Sequence, residues 1–288
     1  MRSVTISQLG GDVHLLEAGE DGPGVWLVHG LDGSAATWLD VAPGLAESHR
    51  VTAVDLPGFG HSPVGRRRRS LTAHADLIAE MVRRHADEAV VLAGNSMGAV
   101  VAMLTASRHP WAVRALVLLA PALPRRTEGG LDPTFTPLLV AGAVPGMLAL
   151  EPWRRSFLAP AERVGTLLEA YAADDSQRPS PATFDAMVEA DTQRPRRERI
   201  RGWTGTARSL FWWLARPEAF HAAADEVRAP TTLVEGVEDP VLPRAVVRAT
   251  IERHPSWERV SLAGVGHVPQ VERPEAVVDT LRAVTGVR

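Results

Sequence analysis

Short apolar runs recur along the chain at Val25 to Val28, Val51 to Val54, Ala89 to Ala93, Ala115 to Ala120, Thr231 to Glu235 and Arg259 to Leu262. They are unbroken rather than alternating, and rich in Val and Leu. That pattern predicts strands buried on both faces, as in a parallel sheet covered by helices. Segments with helical periodicity lie between them, notably Leu71 to His85, Met97 to Arg108, Arg244 to Arg253 and Pro274 to Val284. The alternation predicts right-handed β-α-β units. Ahead of them, Val4 to Gln8 and Val13 to Glu17 flank Gly10-Gly11 and predict an antiparallel hairpin.

The alternation stops after Ala120. From Leu123 to Ala224 no strand is predicted, and helical patterns such as Ala161 to Ala173 and Thr183 to Ala190 carry ten of the fifteen aromatic residues. The expected organisation is therefore an α/β core over residues 1–122 and 225–288, with a helical cap inserted over residues 123–224. The most apolar part of the insertion, Leu138 to Leu150, is interrupted by Gly142, Pro145 and Gly146 and is well short of the ~20 residues of a membrane span. It reads as a buried or interfacial segment.

Composition narrows the chemistry by exclusion. There is no cysteine, hence no disulfide, thiolate metal site or cysteine nucleophile. All 31 basic residues are arginine, which removes Schiff-base and P-loop lysines. A net charge of -3 argues against a nucleic-acid partner. The first residues lack the unbroken apolar core of a signal peptide, so a cytoplasmic location without stable membrane insertion is expected. No H-E-x-x-H and no G-x-G-x-x-G after the first strand is found, so neither metal nor cofactor is expected, and the partner is a small-molecule substrate. Oligomeric state leaves no trace in the sequence. The arginines at Arg66 to Arg69 and at Arg194, Arg196, Arg197, Arg199 and Arg201 read as solvated surface, with steering of an anionic substrate or surface as the alternative.

Chemistry concentrates at Gly94-Asn95-Ser96-Met97-Gly98, a G-x-S-x-G between an apolar run and a helical segment. Small neighbours let a serine stand on a sharp strand-to-helix turn with its hydroxyl exposed. A hydroxyl needs a base within hydrogen-bond reach, and the base needs an orienting group. His267, in Gly264-Val265-Gly266-His267-Val268-Pro269, is a candidate base. Asp239, just after the run Thr231 to Glu235, is a candidate acid, with the adjacent Glu238 as its alternative. His29 and Asp55 read as loop braces, and His61 as solvent-facing.

With VHGLDGSAATW (Val28 to Trp38), DLPGFGHS (Asp55 to Ser62), GVEDPVLP (Gly236 to Pro243) and GVGHVPQVERPE (Gly264 to Glu275), the chain resembles the α/β-hydrolase superfamily over nearly its whole length. The resemblance implies Ser96 as nucleophile, Asp239 as triad acid and His267 as general base. It also implies that the backbone N–H groups of Leu31 and Met97 form an oxyanion hole, with both side chains lining the substrate pocket. Serine at the elbow implies a cofactor-free hydrolase rather than the aspartate chemistry of related dehalogenases. The leading expectation is a serine carboxylesterase for a small to medium, largely apolar ester. A C–C bond hydrolase, a perhydrolase and a non-turnover ligand receptor are the alternatives. The Trp212-Trp213 pair is expected to pack in the cap and to line the substrate site.

Overall fold

The protein is described by a computed structural model covering residues 1–8, 10–124, 126–127, 130–131, 146–174 and 177–286. Eight strands form one sheet: β1 (Arg2–Gln8), β2 (Gly11–Ala18), β3 (Gly24–Val28), β4 (Arg50–Val54), β5 (Val90–Asn95), β6 (Val113–Leu119), β9 (Thr231–Gly236) and β10 (Glu258–Leu262). Their order is β1-β2-β4-β3-β5-β6-β9-β10. The hairpin β1–β2 and the β2–β4 pair are antiparallel, and every other pairing is parallel. A two-stranded ribbon, β7 (Arg126–Thr127) with β8 (Gly130–Leu131), lies inside the stretch where no strand was expected. Helices α2 (Leu71–His85) and α3 (Met97–Arg108) have the predicted ends, and α11 (Pro274–Thr285) runs one residue further than expected.

The unbroken apolar runs are buried on both faces because alternate residues feed two cores. In β3, Trp26 and Val28 join the cluster under α2 and α3, while Val25 and Leu27 join the cluster beneath Trp38, Leu45 and Leu281. The exception is β10, which reads exposed or half-buried throughout because it is the edge strand, with a neighbour on one side only.

Between β6 and β9 run α4 (Met147–Arg155), α5 (Pro160–Tyr171), α6 (Pro181–Gln193), α7 (Arg196–Leu214) and α8 (Pro217–Asp225). Helices α5 and α6 sit on the core through Val164, Leu168 and Met187, which pack on Ala36, Val268 and Val271. Asp40 fastens the start of α6, accepting from Ser180 N at 2.9 Å and Thr183 Oγ1 at 2.8 Å. Most of Leu138 to Leu150, and Phe135, lie outside the described residues. Among the described residues no helix is long and apolar enough to cross a membrane.

The strand order reverses around β3, whose neighbours β4 and β5 lie on opposite sides. The loops leaving β3 and β5 at their carboxyl ends thus flank a switch point, where open α/β sheets hold ligands.

Candidate active site

Ser96 follows β5 directly and precedes α3, with φ 54° and ψ −114°, a conformation costly for a residue with a side chain. The turn is over-determined by its surroundings. Ser96 N donates to Leu119 O at 2.9 Å, and Ser96 O accepts from Ala99 N and Ala122 N at 3.1 and 3.2 Å. The flanking glycines are required by close approach: a Cβ on Gly94 would stand 2.3 Å from Gly98 O, and one on Gly98 2.4 Å from Val28 O and His29 O.

His267 and Asp239 come to this turn from the loops after β10 and β9. His267 Nε2 lies 2.8 Å from Ser96 Oγ, and His267 Nδ1 lies 2.8 Å from Asp239 Oδ2. Asp239 Oδ1 accepts from Val241 N at 2.7 Å and Leu242 N at 2.8 Å, so both carboxylate oxygens are occupied in one orientation. Glu238 turns elsewhere: its Oε2 accepts from Gly264 N at 2.7 Å and Val265 N at 3.2 Å, tying the loop that carries His267 to the loop that carries Asp239. Among the described residues, no three His, Asp or Glu side chains gather as a metal would require.

Three residues around His267 carry no signal that sequence reasoning recognised. Asn95 Nδ2 donates to His267 O at 2.9 Å. Tyr171, at the end of α5, accepts from His267 N through its carbonyl at 2.8 Å and lays its ring edge-on to the imidazole, centroids 5.2 Å apart. Glu272 accepts from the amides on either side of the histidine, Gly266 N at 2.8 Å and Val268 N at 3.0 Å, and from Ala173 N of the insertion at 2.8 Å. Glu272 stands inside the GVGHVPQVERPE segment, but its three partners become visible only in the fold. Burial, together with the nearby Asp32, raises the Tyr171 phenol above its ordinary value of 10.

The Leu31 N–H has no hydrogen-bond partner among the described residues, and Met97 is the first residue of α3, whose N–H has no carbonyl one turn earlier. The Leu31 loop is braced from below by His29, whose Nδ1 donates to Gly30 O at 2.7 Å and whose Nε2 accepts from Leu56 N at 3.1 Å. Burial pushes the His29 imidazole down, in keeping with that neutral tautomer. Asp55 is a brace as well, while His61 is half-buried with its ring 4.7 Å from His14 rather than solvent-facing.

A cavity of about 40 Å³ opens beside Ser96 and His267, walled by Leu31, Leu167, Leu168, Tyr171, Val268 and Gln270. Met97 lies in the core beneath it, fully buried. Trp212 and Trp213 are not among its walls. Trp212 is 46% exposed with the Arg216 guanidinium over its ring, and Trp213 packs on the large core cluster. No residue of α7 lines this cavity, and the pair's rings face solvent and the core cluster instead. Nor are Arg194 and Arg199 solvated: both are buried, in ion pairs with Asp32 and Asp191.

The chain is 28% identical over 280 residues to a pimeloyl-[acyl-carrier protein] methyl ester esterase of Aeromonas hydrophila, covering 92% of this chain and 96% of that one. It is 30% identical over 251 residues to the protein of the same name from Sodalis glossinidius, covering 86% and 88%. A thermophilic esterase from Thermogutta terrifontis shares the fold with a TM-score of 0.72 at 21% identity, over 98% of this chain and 97% of that one. Residues 27–280 match the model of the Alpha/beta hydrolase family, and the chain belongs to that family.

Proposed function

We propose that this hydrolase is a serine carboxylesterase, working without a cofactor on a small to medium, largely apolar ester through an acyl-enzyme. The observation that carries the reading is the unbroken line from Ser96 Oγ through His267 to Asp239, with 2.8 Å at each step, opening on a cleft. Ser96 Oγ attacks the ester carbonyl as His267 Nε2 takes its proton, and Asp239 stabilises the imidazolium so formed. Negative charge then develops on the former carbonyl oxygen. The Leu31 and Met97 N–H groups are fixed dipoles suited to receive it, each worth ~10²- to 10³-fold in rate. His267 next delivers the proton to the departing alcohol, and water hydrolyses the acyl-enzyme by the same steps reversed. The curated relatives named for methyl ester hydrolysis support an ester with a small alcohol.

The test is a series of p-nitrophenyl esters from acetate to decanoate. Each added CH₂ that leaves water contributes up to ~0.8 kcal/mol, so kcat/KM should rise about two- to fourfold per carbon. With a cavity of about 40 Å³ beside Ser96, the rise should stop after a few carbons. Absence of any turnover would remove the esterase reading, and failure of a slowly deacylating ester to leave its acyl group on Ser96, read by mass spectrometry, would remove the acyl-enzyme.

A further inference from the structure

A second cavity, of about 30 Å³, lies between the Leu31 loop and the insertion. Its walls include Asp32 from that loop with Arg155, Arg163 and Asp191 from the helices of the insertion and Arg194 from the link between α6 and α7. By volume it holds a pair of waters or a group the size of a carboxylate. Gly33, Leu167 and Met187 wall both this cavity and the one beside Ser96, so the two spaces are neighbours behind one partition. Met187 is the adaptable part of that partition, since a methionine side chain re-packs readily.

The charges around this space do not cancel. Arg155 Nη1 donates to Asp32 Oδ2 at 3.1 Å and Arg194 Nη2 to Asp32 Oδ1 at 3.0 Å. Arg163 pairs with Asp191 Oδ2, and Arg199 Nη1 reaches Asp191 Oδ1 at 3.3 Å. Among the described residues, four guanidiniums therefore share two carboxylates. Side chains of Arg163, Arg194 and Arg199 are 8%, 5% and 8% exposed, and among the described residues Nε of both Arg194 and Arg199 has no partner. An ion pair meant only to seat the insertion would be neutral, because surplus buried charge is costly. A surplus of arginine forks around a space of this size is what a carboxylate-binding site requires.

We propose that this cavity is an anion subsite, and that it receives a carboxylate carried at the far end of an acyl chain whose ester carbonyl stands at Ser96. The inference rests on the esterase reading and sharpens it: the substrate is a monoester of a linear dicarboxylic acid, apolar along its length where it passes Leu167 and Met187, and charged at its end. Arg155, Arg163 and Arg194 are then specificity-determining residues. Asp32 orients two of them and is itself held at φ 64° by the pairs it makes.

The experiment compares kcat/KM for monomethyl esters of C4 to C8 dicarboxylic acids with that for neutral methyl alkanoates of equal chain length, by methanol release. At one length or more the acid-ended ester should be preferred about tenfold or better, the scale of a charge-assisted hydrogen bond converted to a ratio. In Arg155→Gln that preference ratio should fall by about the same factor, whatever happens to the absolute rates. A ratio at or below one at every length overturns the subsite, as does a ratio unchanged in Arg155→Gln. If no ester turns over, including p-nitrophenyl acetate, the esterase reading is what has failed. Calorimetric titration of the protein with the free C4 to C8 dicarboxylates then decides the subsite: saturable binding weakened by Arg155→Gln supports it, and no binding overturns it.

Discussion

Among the described residues there are two hydrogen-bonded lines of serine, histidine and aspartate, and their distances are nearly the same. In one, Ser96 Oγ, His267 and Asp239 are linked at 2.8 and 2.8 Å; in the other, Ser3 Oγ lies 2.8 Å from His14 Nε2, and His14 Nδ1 lies 2.7 Å from Asp55 Oδ2. What separates them is the backbone around the serine. Ser96 stands on a strained turn at a helix start, beside the Leu31 and Met97 N–H groups proposed above as the oxyanion hole. Ser3 is an exposed residue of the edge strand β1, in ordinary extended conformation, with no helix beginning behind it. Asp55 also differs from Asp239 in its duties, accepting from Ala35 N at 2.6 Å and His61 N at 2.9 Å as well as from His14. Matching hydrogen-bond lengths therefore do not by themselves mark a catalytic line; on the proposed reading, donors placed where an oxyanion develops distinguish the two.

The widest expected gap is between Ser96→Ala and Ser3→Ala. Because members of a triad act as a unit, Ser96→Ala should lose roughly 10⁶-fold in kcat while folding normally, and Ser3→Ala should stay within about twofold of wild type. A fluorophosphonate probe should label one serine in the wild type and none in Ser96→Ala. Label on Ser3 would mean that the second line is reactive.

The two aspartates divide activity from stability. Asp239→Asn should lower kcat by about 10⁴-fold with little change in melting temperature. Asp55→Asn should instead cost ~3 to 5 kcal/mol of stability, as the loss of a buried charge partner does. Burial alone would raise the Asp55 carboxyl, yet the hydrogen bond from His14, the nearby His29 and the amides of Ala35 and His61 hold it below its ordinary 3.8. A depressed folded value means stability that is present above 3.8 and lost as pH falls through the lower folded value. The difference in melting temperature between wild type and Asp55→Asn should accordingly be widest near neutrality and close in acid. A constant difference across pH would deny the carboxylate its role.

Smaller effects test how the loop of His267 is held, a support that His14, fixed within a strand, does not need. Glu272→Ala should lower kcat about ten- to a hundredfold with KM little changed, since it frees the amides on both sides of the base and sub-ångström misplacement is costly. A rise in KM alone would point to a loss of cap packing instead. Glu238→Gln keeps one acceptor oxygen and should cost only a few-fold, far less than Asp239→Asn. The reverse ranking would hand the acid's role to Glu238.

The elbow was legible in the sequence because its strand-turn-helix pattern is local: a Cβ on Gly94 would stand 2.3 Å from Gly98 O, four residues on, whereas the need for Gly98 comes from Val28 O and His29 O beside the neighbouring strand and shows only in the fold. The strands were legible because each buries both faces, which leaves an unbroken apolar run. The same logic explains what misled. Arginines in a polar run read as solvated, yet Arg194 finds its partner Asp32 across 162 positions of sequence. Trp212 and Trp213 read as substrate walls because aromatic content says nothing of which way a helix face turns.

By itself the sequence determined the sheet, the helices that cover it and the loops from which Ser96, Asp239 and His267 project, because hydrophobic period and turn chemistry act over a few residues. Only the tertiary structure decided which carboxylate meets the imidazole, that Glu272, Asn95 and Tyr171 hold the base, and that four arginines gather around two aspartates beside the Leu31 loop. Those choices join residues far apart in the chain, such as Ser96 and His267 at a separation of 171. A hydrogen bond of 2.8 Å between them depends on how whole layers pack, and no local pattern encodes that distance.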